Sequence, residues 1–118
     1  MVRLDKDLII LNADGETIPV YIEGDAPAEL PDEYFTVSED DTSNAVSADN
    51  KAKAHLYEFT LKYYTVDAER LYSVLIEAID QLKSKGYDAE GIGYHNGTYQ
   101  NTWFSRMVDI EKIDYLEE

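Results

Sequence analysis

The segment HLYEFTLKYY alternates strictly: Tyr57, Phe59, Leu61 and Tyr63 fall on one side, Glu58, Thr60 and Lys62 on the other. A side-chain period of two is that of a strand with one buried face. The period then changes. Leu71, Val74, Leu75, Ala78, Ile79 and Leu82 are spaced three and four apart, which gathers them on one face of a helix. Asp67 is placed to accept the free N–H groups of the first turn, and Glu69 lies favourably at the positive end of the helix dipole. Lys83 and Lys85 come at the other end, and Gly86 follows as a stop. The pattern predicts a helix from about 67 to 85.

Downstream, AEGIGYHNGTYQNTWFSRMVDI holds Asn96-Gly97, the strongest short hairpin signal, between alternating runs. Strands are expected at about 89–95 and 99–110. Gly91 and Gly93 suggest a bulge or a close backbone approach. Upstream, DLIILNADGETIPVYI fits either a hairpin around Asp14-Gly15 or a short N-terminal helix; strand character is expected for Val20–Ile22 and residues 4–11 stay open. DAPAELPDE is a connector, because Pro27 and Pro31 block regular pairing. EYFTVSE is a strand. Residues 40–53 include DDTSNAVSADNKAK, polar and poor in bulky side chains, and are expected to form an exposed mobile loop.

These elements imply an α+β fold in a single domain spanning 1–118. An antiparallel or mixed β-sheet carries one main helix, about 67–85, on one face, with a possible second short helix at the N-terminus.

Charge narrows the function. The 118 residues carry a formal net charge of −15. Residues 1–50 hold 13 acids against 2 bases, a net of −11; residues 51–118 hold 12 against 8, a net of −4. Direct nucleic-acid binding needs clustered Lys and Arg on phosphates, so it is not expected. The same sign disfavours an anionic membrane, and no apolar run approaches the roughly 20 residues of a membrane span. With no cysteine there is no disulfide, thiol or Cys–zinc chemistry.

Catalytic patterns are missing. His55 and His95 stand in no H-x-x-x-H or H-E-x-x-H spacing, and they read as strand and turn-flanking residues. Asp40, Asp41 and Asp49 do not match a calcium loop and read as solvated acids. Asn96-Gly97-Thr98 matches a glycosylation acceptor but reads as a turn. No G-x-S-x-G or phosphate loop occurs. The chain is therefore read as a non-enzyme without cofactor or metal.

Aromatic residues carry more. Tyr34, Phe35, Tyr64, Tyr94, Tyr99, Trp103 and Phe104 are the candidate interface residues. Adjacent strand residues point to opposite faces, and one helix covers one face, so large rings are left over on the other. An exposed apolar patch of that kind marks a protein contact.

The order VYIE, LPDEYFTVSEDD, a polar loop with ADN, then YEFTLKYYTVDAERLYSVLIEAIDQLKSKGY and a closing hairpin resembles the small tail-completion proteins of tailed bacteriophages and prophages, the tail-terminator or head–tail joining group. Its counterparts here are Pro31 to Phe35, Asp49-Asn50 and Tyr63 to Asp67, within a match over about 18–113. The resemblance implies a structural protein of the virion, located there or in the bacterial cytoplasm during assembly. It implies self-association into a ring, hexameric in the family, and partners in the tail tube and head connector. Beside it stands another reading of the charge, an acidic inhibitor that mimics DNA or another small protein-binding domain.

Overall fold

The computed structural model describes residues 2–48 and 51–115. A six-stranded mixed sheet runs in the order β1 (Val20–Ile22), β2 (Glu33–Ala48), β3 (Lys51–Thr65), β6 (Trp103–Tyr115), with β4 (Asp88–Ala89) and β5 (Tyr94–Tyr99) both on the outer edge of β6. β1 lies parallel to β2; every other pairing is antiparallel. The main helix crosses one face as a 3-10 turn, Ala68–Arg70, running into α2, Leu71–Ser84.

That helix follows its sequence signals. Asp67 accepts the Glu69 N–H at 3.0 Å. At the other end Gly86 takes φ 92°, Tyr87 N–H reaches Leu82 O at 3.0 Å and Gly86 N–H reaches Lys83 O at 3.1 Å. These two bonds form a Schellman cap, and only glycine adopts the positive φ it needs without strain. Val74, Leu75, Ala78, Ile79 and Leu82 are all buried, against Phe35, Val37, Leu61, Tyr63, Val108 and Ile110 from the sheet.

The N-terminal segment realises both options open in the sequence. α1, Leu4–Asp7, is a single helical turn, and a tight reversal follows in which Asn12 Oδ1 accepts the N–H groups of Asp14 and Glu16. Leu4, Leu8, Ile10 and Ile18 enter the core. The side chain of Gln81 on α2 anchors this segment through the backbone of Ile9.

Two expectations need correction. Asn96-Gly97 is not the hairpin turn. It lies inside β5 as a bulge, with Gly97 at φ 82° and a register shift between His95 and Thr98. The chain reverses instead at Gln100 and Asn101, with φ 53° and 55°, closed by Thr102 N–H to Tyr99 O at 3.2 Å. Two consecutive positive φ values are the type I′ pattern that hairpins favour. Across this turn Tyr99 pairs with Trp103, and β6 pairs with β3 from Phe104 onward.

The stretch 40–53 is also not a loop for most of its length. β2 continues to Ala48 and β3 starts at Lys51, in a long antiparallel ladder broken by register shifts at Glu39/Asp41, Asn44/Val46 and Val46/Ser47. Residues 49 and 50, including the Asp49-Asn50 pair, lie outside the described residues. Poor strand propensity yields here because β3 is itself held by β6 as far as Ala54↔Tyr115, a template along which β2 can pair. The ladder gives the molecule its 52 Å long axis against 25 and 23 Å across.

Gly93 does what the sequence suggested. A Cβ there would lie 2.7 Å from Met107 O and 2.8 Å from Leu75 Cδ2, at a φ of 81°. Its bare backbone lets the edge chain press between β6 and the helix.

Candidate interaction surface

Strand register sorts the side chains into two faces. Phe35↔Tyr63↔Arg106 and Val37↔Leu61↔Val108 point toward the helix. The alternate rungs point the other way. They are Tyr34↔Tyr64↔Ser105, Thr36↔Lys62↔Met107, Ser38↔Thr60↔Asp109, then Glu58↔Glu111, Leu56↔Ile113 and Ala54↔Tyr115. This second, open face has an aromatic end, an acidic middle and an apolar far end.

At the aromatic end the rings cover one another. Tyr34 and Tyr64 stack with centroids 4.6 Å apart and planes 12° from parallel. Trp103 meets Tyr34 edge-on at 6.3 Å, Tyr99 meets Tyr64 at 5.8 Å and Trp103 at 6.2 Å, and Tyr21 closes the far side at 6.0 Å from Tyr34. The indole N–H of Trp103 donates to Pro31 O at 3.0 Å, which fixes the ring. Each such aromatic pair adds about 0.5–1.5 kcal/mol beyond burial. Tyr34 is only 2% exposed as a result, and desolvation raises its phenol pKa, with the neighbouring Tyr64, Tyr99 and Tyr21 adding to the effect. The surplus of rings is thus partly absorbed within the chain. What stays in solvent is Tyr99 at 43% and Tyr94 at 50%.

Beside this patch, Glu33 ties three elements together. Its carboxylate accepts Arg70 Nε at 2.7 Å and Nη2 at 3.1 Å, Tyr63 OH at 2.6 Å and Thr65 Oγ1 at 3.3 Å. Burial opposes the charge, but the hydrogen bonds from Arg70 and Tyr63 outweigh it and hold the carboxyl below its usual range. The network is fully paired and positions the start of β2 against the helix.

The acidic middle is a groove of about 500 Å³ lined by Asp40, Glu58, Asp88, Glu90, Asp109 and Glu111. Glu58 lies directly across from Glu111, and Asp88 pairs with Glu111 from the other side. Asp40 accepts from Ser38 Oγ at 3.0 Å and from Thr60 Oγ1. Among the described residues no Lys or Arg forms an ion pair with any of the six. Lys62, on the same face, is engaged by Glu23 at 3.3 Å. No group of three or more His, Asp or Glu among the described residues is placed to hold a metal ion.

Of the seven sequence-chosen residues, Tyr34, Tyr64, Tyr99 and Trp103 come together at the aromatic end. Tyr94 is on the same face but lies farther along, opposite Met107. Phe35 and Tyr34 are corrections: Phe35 is fully buried on the helix side, 5.0 Å from Tyr63, and Tyr34 is buried beneath its neighbouring rings, so neither has surface to offer. Phe104 alternates onto the helix side opposite Thr65. His55 and His95 pair with Asp114 and Arg106, eight positions apart on β6 and so about 26 Å from one another. Sequence reasoning placed the acids in loops of the first half and missed the groove. Its signal was present, since Glu58, Asp109 and Glu111 occupy the polar positions of alternating strands, but only the register of β3 on β6 unites them.

Among the described residues no helix is long and apolar enough to cross a membrane. Compared with family models, curated proteins and solved structures, the chain matches none of them.

Proposed function

We propose that this chain is a non-enzymatic assembly protein that joins copies of itself through the aromatic end of its open sheet face. The observation that carries the reading is the half-exposed Tyr99, rigidly braced by Tyr64 and Trp103 on a face that no helix covers. Rigid, preorganised tyrosines lose little conformational entropy on contact, which is why they anchor interfaces. The clustered rings of Tyr34, Tyr64, Tyr99 and Trp103 carry no charge of their own, which favours contact between copies despite their net charge.

The finer proposal is a ring-forming subunit at the head–tail junction or tail terminus of a phage or prophage. The sequence resemblance supports it, as does the long β2–β3 ladder, which offers reach between neighbouring subunits. Sedimentation across a concentration series tests the reading. Self-association is expected for the native chain and is expected to be lost in Tyr99→Ser. A strict monomer at every concentration, with and without added tail tubes, would remove it.

A further inference from the structure

The acidic middle of the open face presents an energetic problem that the fold does not answer. Like charges directly across a strand pair destabilise the sheet. Glu58 and Glu111 are such a pair, Asp88 shares their rung, Asp109 occupies the next one, and among the described residues no Lys or Arg forms an ion pair with them. Neither is the belt a solvated polar surface on all sides. Tyr94, 50% exposed, and Met107 border it toward the aromatic end; Ile113, 41% exposed, and Tyr115, 71% exposed, border it toward the far end. Met107 and Ile113 are six residues apart on one strand, so the apolar borders stand about 20 Å apart with carboxylates between them.

We propose that this stretch of the open face docks a polypeptide segment of a different protein, with Lys or Arg at its centre and apolar side chains on either side. The inference rests on the reading of the open face as a contact surface and assigns its acidic half. Charge complementarity selects the occupant. A second copy would bring its own surplus of acids to the groove, and nucleic acids and anionic bilayers carry the wrong sign. Arginine suits both parts of the surface, since its guanidinium pairs with carboxylates and lies flat on rings such as that of Tyr94. The apolar borders supply the burial that exposed ion pairs alone cannot, because such pairs contribute about 0–1 kcal/mol each.

The test is fluorescence anisotropy of the full chain with a 12-residue peptide bearing Arg-Lys-Arg-Lys at its centre and Leu and Phe at both ends. Two controls replace the central bases with Glu or the terminal Leu and Phe with Ser. The first peptide is expected to bind and both controls to bind at least 10-fold more weakly. The triple variant Glu58→Gln, Asp109→Asn, Glu111→Gln is expected to lose at least 10-fold in affinity while its melting temperature holds or rises. Absence of binding by the first peptide, or equal binding by the triple variant, overturns the proposal. Equal binding of the Ser-ended control overturns the apolar borders. Sedimentation of the native chain, beside its peptide binding, separates the two readings. Self-association preserved without peptide binding sinks this inference alone, whereas a monomer that binds the peptide sinks the ring reading alone.

Discussion

The side-chain amide of Gln81 forms a reciprocal pair with the backbone of Ile9: its Oε1 accepts the Ile9 N–H at 2.5 Å and its Nε2 donates to Ile9 O at 2.7 Å. The helix thereby supplies the partner that a neighbouring strand would otherwise give, and the N-terminal segment stays flat over the core. Gln81→Leu leaves both backbone groups unpaired. It is expected to lower stability by about 1–3 kcal/mol and to speed hydrogen exchange at the Ile9 amide. Unchanged exchange at that amide would show that the pair does not hold the segment.

Gly93→Ala is expected to be among the most damaging small substitutions. The new methyl meets backbone as well as side chain, at 2.7 Å from Met107 O and 2.8 Å from Leu75 Cδ2, where the φ already disfavours any side chain. A loss of roughly 2–4 kcal/mol follows from strain and overpacking together. Gly97→Ala has the same sign of φ but nothing within 4 Å of its Cβ, so about 1 kcal/mol is expected. Chemical denaturation of both variants checks the order, and equal losses would refute the steric account.

Acid should expose the Glu33 network. Its folded carboxyl is held below the ordinary value of 4.5, so its stabilisation is complete above that pH and fades as pH falls through the lowered folded value. Glu33→Gln is expected to cost about 2–3 kcal/mol at pH 7, where Arg70 loses its charged partner. The gap between the native chain and the variant should close as pH drops below 4.5. Measuring the difference matters, because protonating other acids relieves the repulsion of a −15 chain and acts in the opposite direction. A gap constant from pH 7 to pH 3 would contradict the assignment.

Base should divide the tyrosines. Burial raises the phenol pKa of Tyr34, Tyr63 and Tyr87 above the ordinary 10, helped by Glu33 at Tyr63 and by Asp7 at Tyr87. The stabilisation they give is fully present below pH 10 and is lost as pH rises through their folded values. Tyrosinate absorbance is expected to rise in two stages, the later one coinciding with loss of near-ultraviolet circular dichroism. A single stage with all 10 tyrosines ionising while the fold persists would disprove this.

Much of the architecture was legible because periodicity and capping agreed. The stripe from Leu71 to Leu82, its Asp67 cap and its Gly86 stop specify the helix locally, and the alternation of Tyr57 to Tyr63 specifies a half-buried strand. Three adjacent aromatic pairs, Tyr34-Phe35, Tyr63-Tyr64 and Trp103-Phe104, each split across the sheet as strand geometry requires. What misled were the local turn signals. Asn96-Gly97 is good turn chemistry, yet a bulge used its glycine while Gln100-Asn101 took the reversal. Residues 40–53 look like a loop by composition, yet 40–48 and 51–53 become ladder through their partner strand. The acidic groove was illegible for the same reason: its members come from four strands and the β4–β5 connection, and only the pairing brings them together.

The outer margin of β2 has a further consequence. β1 covers it only from Phe35 to Val37, and among the described residues no strand lies against it beyond that point. An uncapped margin of this length is the template on which chains polymerise into fibrils. The exposed acids Glu39 and Asp40 and the register offset that follows Glu39 stand guard there by repulsion and by twist. Neutralising carboxylates removes the first of these guards. Storage in mild acid should therefore seed thioflavin-positive fibres from this arm, and Glu39→Lys should prevent them at the same pH.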